Sequence, residues 1–141
     1  MVPPATALTN PHAMDRPPTS SGELWMAPGY ERLLHANRLD SLHTLFSVAG
    51  GECLSKPGLH SWRERWRLTL NDSDGPRVLY LKRFRSPPRS ARREVARSGS
   101  GARSVAGMEW VWLNRLAREG IACAEPVAFG EELRGSREVR S

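Results

Sequence analysis

Two charged side chains stand where a lone charge is expensive. In Val78-Leu79-Tyr80-Leu81-Lys82-Arg83-Phe84, strand alternation puts Val78, Tyr80, Lys82 and Phe84 on one face. Lys82 is the cation in that row. A half-buried ammonium needs an anion, either a carboxylate or a phosphate. The alternative is an edge-strand lysine whose head reaches water. Lys56 and Lys82 are the only lysines of a chain whose other cations are arginines, which makes each of them informative. The second charge is Glu109. At about 100° per residue, Val105, Met108, Trp112, Leu113 and Leu116 make one helical stripe, and Glu109 falls inside it. A carboxylate there either meets a cation or sits at the stripe's margin in solvent. A Lys82–Glu109 pair across a strand–helix interface satisfies both residues, and it would hold an ammonium where phosphate binds.

The surrounding residues resemble the lipopolysaccharide kinase (Kdo/WaaP) family, whose fold is protein-kinase-like. The run Val78 to Phe84 is similar to that family's "YLKRY" strand. Met108-Glu109-Trp110, Leu113, Leu116, Gly120-Ile121, Pro126 and Phe129-Gly130 resemble its next block. Leu54 to Leu70, with Trp62-Arg63, resembles the hairpin that covers the nucleotide. The resemblance spans about residues 30–132. It implies an N-terminal lobe that binds ATP with Mg²⁺, in which Lys82 contacts phosphates and Glu109 holds Lys82. It also implies transfer of the γ-phosphoryl group to a sugar hydroxyl of lipopolysaccharide. The first hairpin carries no GxGxxG but Pro57-Gly58-Leu59-His60-Ser61, so the nucleotide-facing amides are expected near Gly58 and Ser61.

The aspartates that kinase chemistry needs are missing. Asp15, Asp40, Asp72 and Asp74 all precede Lys82, as do all four histidines. No catalytic residue and no metal ligand is therefore assigned. Those residues would belong to a C-lobe following residue 141, and the expectation is a truncated, N-lobe-only protein that is inactive alone. A separate polypeptide carrying the C-lobe is one expected partner.

The elements that must position this pair follow from pattern. Residues 1–28 are rich in proline, serine and threonine and read as a disordered tail, with Trp25 marking where order begins. Residues 29–133 form the lobe. Within it, Tyr30, Leu33, Leu34 and Asn37 share one short helical face and Leu42, Leu45 and Phe46 another. Asp40-Ser41 is the break and N-cap between them, and Gly50-Gly51 the stop. A short strand spans residues 52–55. Trp62, Glu64, Trp66, Leu68 and Leu70 line one face of the next strand, Asn71 to Pro76 turns, and residues 77–84 return. Residues 85–103 read as a mobile basic loop, and 102–119 as a helix stopped by Gly120. A turn then enters a strand at 125–130, and 134–141 is a polar end. The fold class is α+β: an antiparallel sheet with one packed helix, preceded by short helices.

Composition bounds the alternatives. The chain has 141 residues, 39% apolar, with a net charge of +6 and a pI near 10.3. That length suits one lobe rather than a two-lobed enzyme. The basicity suits anionic partners: nucleotide, anionic glycolipid, an inner-membrane surface, or nucleic acid. Arg83, Arg85, Arg89, Arg92, Arg93, Arg97 and Arg103 make a rival reading available, a basic module binding nucleic acid or a membrane surface. Other rivals are a regulatory protein derived from a kinase lobe and a kinase for another acceptor. Cys53 and Cys123 lack metal or disulfide spacing and read as reduced, partly buried thiols. With no secretory signal and no transmembrane stretch in view, the expected location is cytoplasmic, or peripheral at the inner-membrane face.

Overall fold

The computed structural model describes residues 22–141. It is an α+β assembly in which every strand pairing is antiparallel. The element order is β1 (Leu24–Met26), α1 (Glu31–Ala36), α2 (Leu42–Ser47), β2 (Glu52–Cys53), β3 (Arg63–Asp72), β4 (Gly75–Phe84), α3 (Arg89–Arg97), α4 (Val105–Arg118), β5 (Ala128–Gly130), β6 (Glu132–Arg134) and β7 (Arg137–Arg140).

The long hairpin of β3 and β4 is the backbone of the molecule. A two-residue turn, Ser73-Asp74, sets the register Asp72↔Gly75 through Arg63↔Phe84. One face of this hairpin carries Leu68, Leu70, Leu79 and Leu81, which pack with Leu33, Leu34 and Leu39 from α1 and its exit. Asn37 ties α1 to the end of β3: its Nδ2 donates to the Asn71 carbonyl at 2.8 Å and its Oδ1 accepts from the Asn71 N–H at 2.9 Å. Placed by periodicity on an apolar face, Asn37 is a backbone clamp instead. Ser41 caps α2 through a reciprocal capping box with Thr44. Gly51 is required where the chain enters β2, because a Cβ there would lie 2.6 Å from Leu68 Cδ2 and 2.8 Å from the Arg67 carbonyl oxygen.

Four expectations are corrected. Residues 22–28 are ordered, since β1 pairs with β5 from Leu24↔Gly130 to Met26↔Ala128; residues 1–21 lie outside the described residues. The 85–103 stretch is not a loop, because Arg89–Arg97 is a helix whose buried Ala91 and Val95 pack with Phe84 and Val105. An i, i+4 apolar pair in an arginine-rich run is a thin signal, and burial on Phe84 decides the matter. The polar end 134–141 completes the β6–β7 hairpin, and Glu138 and Ser141 are buried. Both cysteines are exposed rather than partly buried. Among the described residues no helix is long and apolar enough to cross a membrane.

Candidate functional site: the Lys82–Glu109 cleft

The anticipated pair is formed. Lys82 Nζ lies 2.6 Å from Glu109 Oε2, with the side chains 43% and 26% exposed. Strand β4 supplies the lysine and helix α4 the carboxylate. The ammonium therefore has a partner and also a free side toward solvent.

Register adds a second cation. Arg65 lies directly opposite Lys82 in the β3–β4 ladder, on the same face. Like charges in that position repel, and the ion pair of Lys82 with Glu109 offsets one of the two. Sequence reasoning placed Arg65 on the far side from the apolar row but missed the pairing. The signal was present, because a two-residue turn at Ser73-Asp74 fixes which residues of the hairpin face each other.

Helix α4 is aimed by its first turn. The Ser104 Oγ accepts from the Gly107 N–H at 3.0 Å. Glu138 Oε2 accepts from the Val105 N–H at 3.0 Å, and the Ser141 hydroxyl from the Ala106 N–H at 3.3 Å. Three donors left open at a helix start are thus satisfied, two of them by the β6–β7 end of the chain. A carboxylate there also complements the helix dipole. Burial pushes the Glu138 carboxyl above its ordinary value; bonds from Ser141 and Val105 oppose this, and the nearby Glu131 carboxylate adds to it. Glu109 follows Val105 by one helical turn, so this cap sets where the carboxylate stands. Gly107 allows the close approach: a Cβ there would lie 3.2 Å from Phe129 Cζ.

The buried face of α4 differs from the expected stripe. Val105, Gly107, Trp110 and Val111 are buried, while Trp112 is 41% exposed. The helix packs against α3 on one side and β5 on another, which buries a sector rotated away from Trp112. Trp110 meets Phe129 at 6.0 Å between ring centroids. Glu109 therefore sits at the margin of the packed face, beside a cleft.

That cleft, of about 690 Å³, is walled by β4 from Val78 to Lys82, by α4 with Ala106, Glu109 and Leu113, and by residues 124–129; Leu34, Leu39 and Leu68 form its floor. Apolar surface dominates, with Lys82, Glu109, Glu125 and Tyr30 as the polar groups. Burial raises the Tyr30 hydroxyl above its ordinary pKa, and its hydrogen bond to Glu125 raises it further. Gly58 and Ser61 do not line the cleft. They lie in the exposed connection between β2 and β3, where Gly58 has a φ of +94°. His60 and Trp62 stack at 6.2 Å, and Trp62 meets Phe84 at 5.9 Å, which ties this loop to the Phe84 end of β4.

Next to the site, Arg83 is an anchor. Only 4% exposed, it reaches Glu64 at 3.2 Å and the Leu45 and Val48 carbonyls at 2.8 and 3.0 Å. It closes the end of α2 onto the sheet. Burial works to raise the Glu64 carboxyl, but hydrogen bonds from Trp66, Arg85 and Arg83 outweigh it and hold the carboxyl below its ordinary value.

Among the described residues there is no group of three or more His, Cys, Asp or Glu side chains that would hold a metal ion. The chain matches no family model, no curated protein and no solved structure.

Proposed function

We propose that this chain is the nucleotide-binding lobe of a protein-kinase-like phosphotransferase, of the kind that the resemblance to lipopolysaccharide kinases implies. The observation that carries the reading is the 2.6 Å Lys82–Glu109 pair on the wall of an apolar cleft. A pre-positioned ammonium beside an apolar slot suits a ligand with a flat apolar base at one end and phosphates at the other. Arg65 adds a second cation on the same face.

The donor set fits the phosphates and does not fit a resident metal. Mg²⁺ would arrive on the nucleotide, where it neutralises phosphate charge. This chain's own part is to bind the phosphates at Lys82 and to hold that ammonium through Glu109. No phosphoryl transfer is assigned to it, because no aspartate follows Lys82 to orient an acceptor hydroxyl. The acceptor class, a lipopolysaccharide sugar, rests on the resemblance.

Steady-state hydrolysis tests the division of labour. With ATP and Mg²⁺ the purified chain should show no sustained turnover. Turnover abolished by Lys82→Met would overturn the assignment of binding alone.

A second reading has its own observation. Helix α3 shows exposed Arg89, Arg93 and Arg97 at i, i+4 spacing on the side away from Ala91 and Val95. Such a stripe suits an anionic lipid surface beside the proposed glycolipid acceptor.

A further inference from the structure

We propose that the α3–α4 face docks on an anionic lipid bilayer, and that Trp112 is its apolar anchor, seated among the headgroups. The inference rests on the second reading above and deepens it. Charge brings α3 to the surface, and an inserted ring holds it there.

The two helices are fixed to each other from below. Ala91 and Val95 of α3 pack with Val105 of α4 and with Phe84, and Met108 joins the edge of that cluster. Their connection is tied as well. The Ser98 hydroxyl donates to the Val95 carbonyl at 2.7 Å, the Ser98 and Ser100 hydroxyls share a hydrogen bond at 2.7 Å, and the Ala102 N–H donates to the Ser100 hydroxyl at 3.2 Å. Above this packing lies a groove of about 530 Å³. Ser90, Glu94, Arg97 and Ser98 line one side of it, and Met108 and Trp112 the other.

The two rims differ in chemistry. The α3 rim is basic. Arg89, Arg93 and Arg97 are exposed on the side away from Ala91 and Val95. Among the described residues no ion pair occupies their guanidinium groups. Unpaired cations in a line match a surface of closely spaced anions. Glu94, the one acid of α3, lies in the groove, about 100° around the helix from Arg93.

The α4 rim is aromatic. Trp112 is 41% exposed, and the Arg115 guanidinium stacks over its ring at 5.0 Å. An indole with a guanidinium on one face is amphipathic. Its ring suits the layer just below lipid phosphates, while the indole N–H and the cation stay at their level. Arg97 and Trp112 line the same groove, so a surface that reaches one reaches the other. A bilayer satisfies both rims, since it offers anionic charge and apolar depth within a few ångströms. A nucleic-acid duplex matches the arginines but offers its phosphates, not an apolar layer, to Met108 and Trp112.

The test uses the full chain and two kinds of vesicle, phosphatidylcholine alone and phosphatidylcholine with phosphatidylglycerol. The parent chain should sediment with the anionic vesicles. Trp112→Ala should weaken that binding about tenfold, the scale of burying half an aromatic side chain. The loss should persist at high salt, where the arginine contribution is screened. Trp112→Phe should restore most of the binding. Lipids brominated near the headgroup should quench the fluorescence of the bound parent, and quench Trp112→Phe less. That readout reports insertion directly and holds even if Trp112→Ala proves unstable. Trp112→Ala binding like the parent, or equal quenching in the parent and Trp112→Phe, overturns the anchor. A loss in the combined Arg89, Arg93 and Arg97 variant would then leave the second reading standing, and its absence would remove both. Equal binding to the uncharged vesicles overturns the anionic assignment. No vesicle binding, with capture of duplex DNA or of polyglutamate instead, overturns the proposal in favour of nucleic acid or an acidic protein.

Discussion

Lys82 and Arg83 are neighbours on one strand with opposite duties. Lys82 faces the cleft and pairs with Glu109 while 43% exposed, and Arg83 faces the other way and is 4% exposed. An exposed pair contributes little to folding, so Lys82→Met should change stability by less than about 1 kcal/mol. Arg83→Met removes one of the two cations paired with the partly buried Glu64 carboxylate and strips the Leu45 and Val48 carbonyls of their donor, and it should cost about 3 kcal/mol. Urea unfolding of the two variants checks both. A large loss at Lys82 would make the pair a structural strut rather than a binding device. Glu138 gives a pH signature. Its carboxyl stands above the ordinary value of 4.5 in the folded state. Its contribution is thus fully present below 4.5 and is lost as pH rises through the folded value. The stability of the parent chain relative to Glu138→Gln should therefore increase as pH falls from neutral toward 4.5. Glu64 acts with the opposite sign, losing its contribution as pH falls below its ordinary value of 4.5, which is why the comparison with Glu138→Gln isolates one group. Thermal melts across that range decide it, and a difference that shrinks on acidification would contradict the assignment.

At the scale of elements, the sequence was most informative where a period was long and its breaks were chemical. Ser41, the turn at Ser73-Asp74 and Gly120 each marked a boundary, and α1, α2, β3, β4 and α4 lie within a few residues of expectation. The Lys82–Glu109 pair was legible because two charges sat in apolar rows that each required a partner. What was not legible depended on distant contacts. Nothing local in Glu138 or Ser141 announces that they cap α4 from 33 and 35 residues away. Nothing in an arginine-rich run announces a helix until Phe84 buries Ala91 and Val95. That helix carries its own prediction. Replacing Arg89, Arg93 and Arg97 together by glutamine should remove most binding to anionic vesicles, each exposed cation being worth about 1 kcal/mol near such a surface. Vesicle sedimentation at low and high salt measures it, and unchanged binding in the triple variant would leave α3 as packing alone.

For the molecule as a whole, one long hairpin does two jobs with its two faces. One face buries leucines against α1; the other carries Arg65 opposite Lys82, and Lys82 reaches Glu109 of α4. Because the cap of α4 comes from the β6–β7 end, the position of Glu109 depends on the last residues of the chain, and disturbing Glu138 should loosen the Lys82–Glu109 geometry as well as the fold. The central claim remains that Lys82 is a phosphate contact. Calorimetric titration of ATP and of adenosine into the parent chain and Lys82→Ala tests it most directly. The account predicts that ATP binding weakens about tenfold or more, as expected for loss of a charge-assisted contact, while adenosine binding is unchanged. Equal ATP affinity in the two proteins would contradict it.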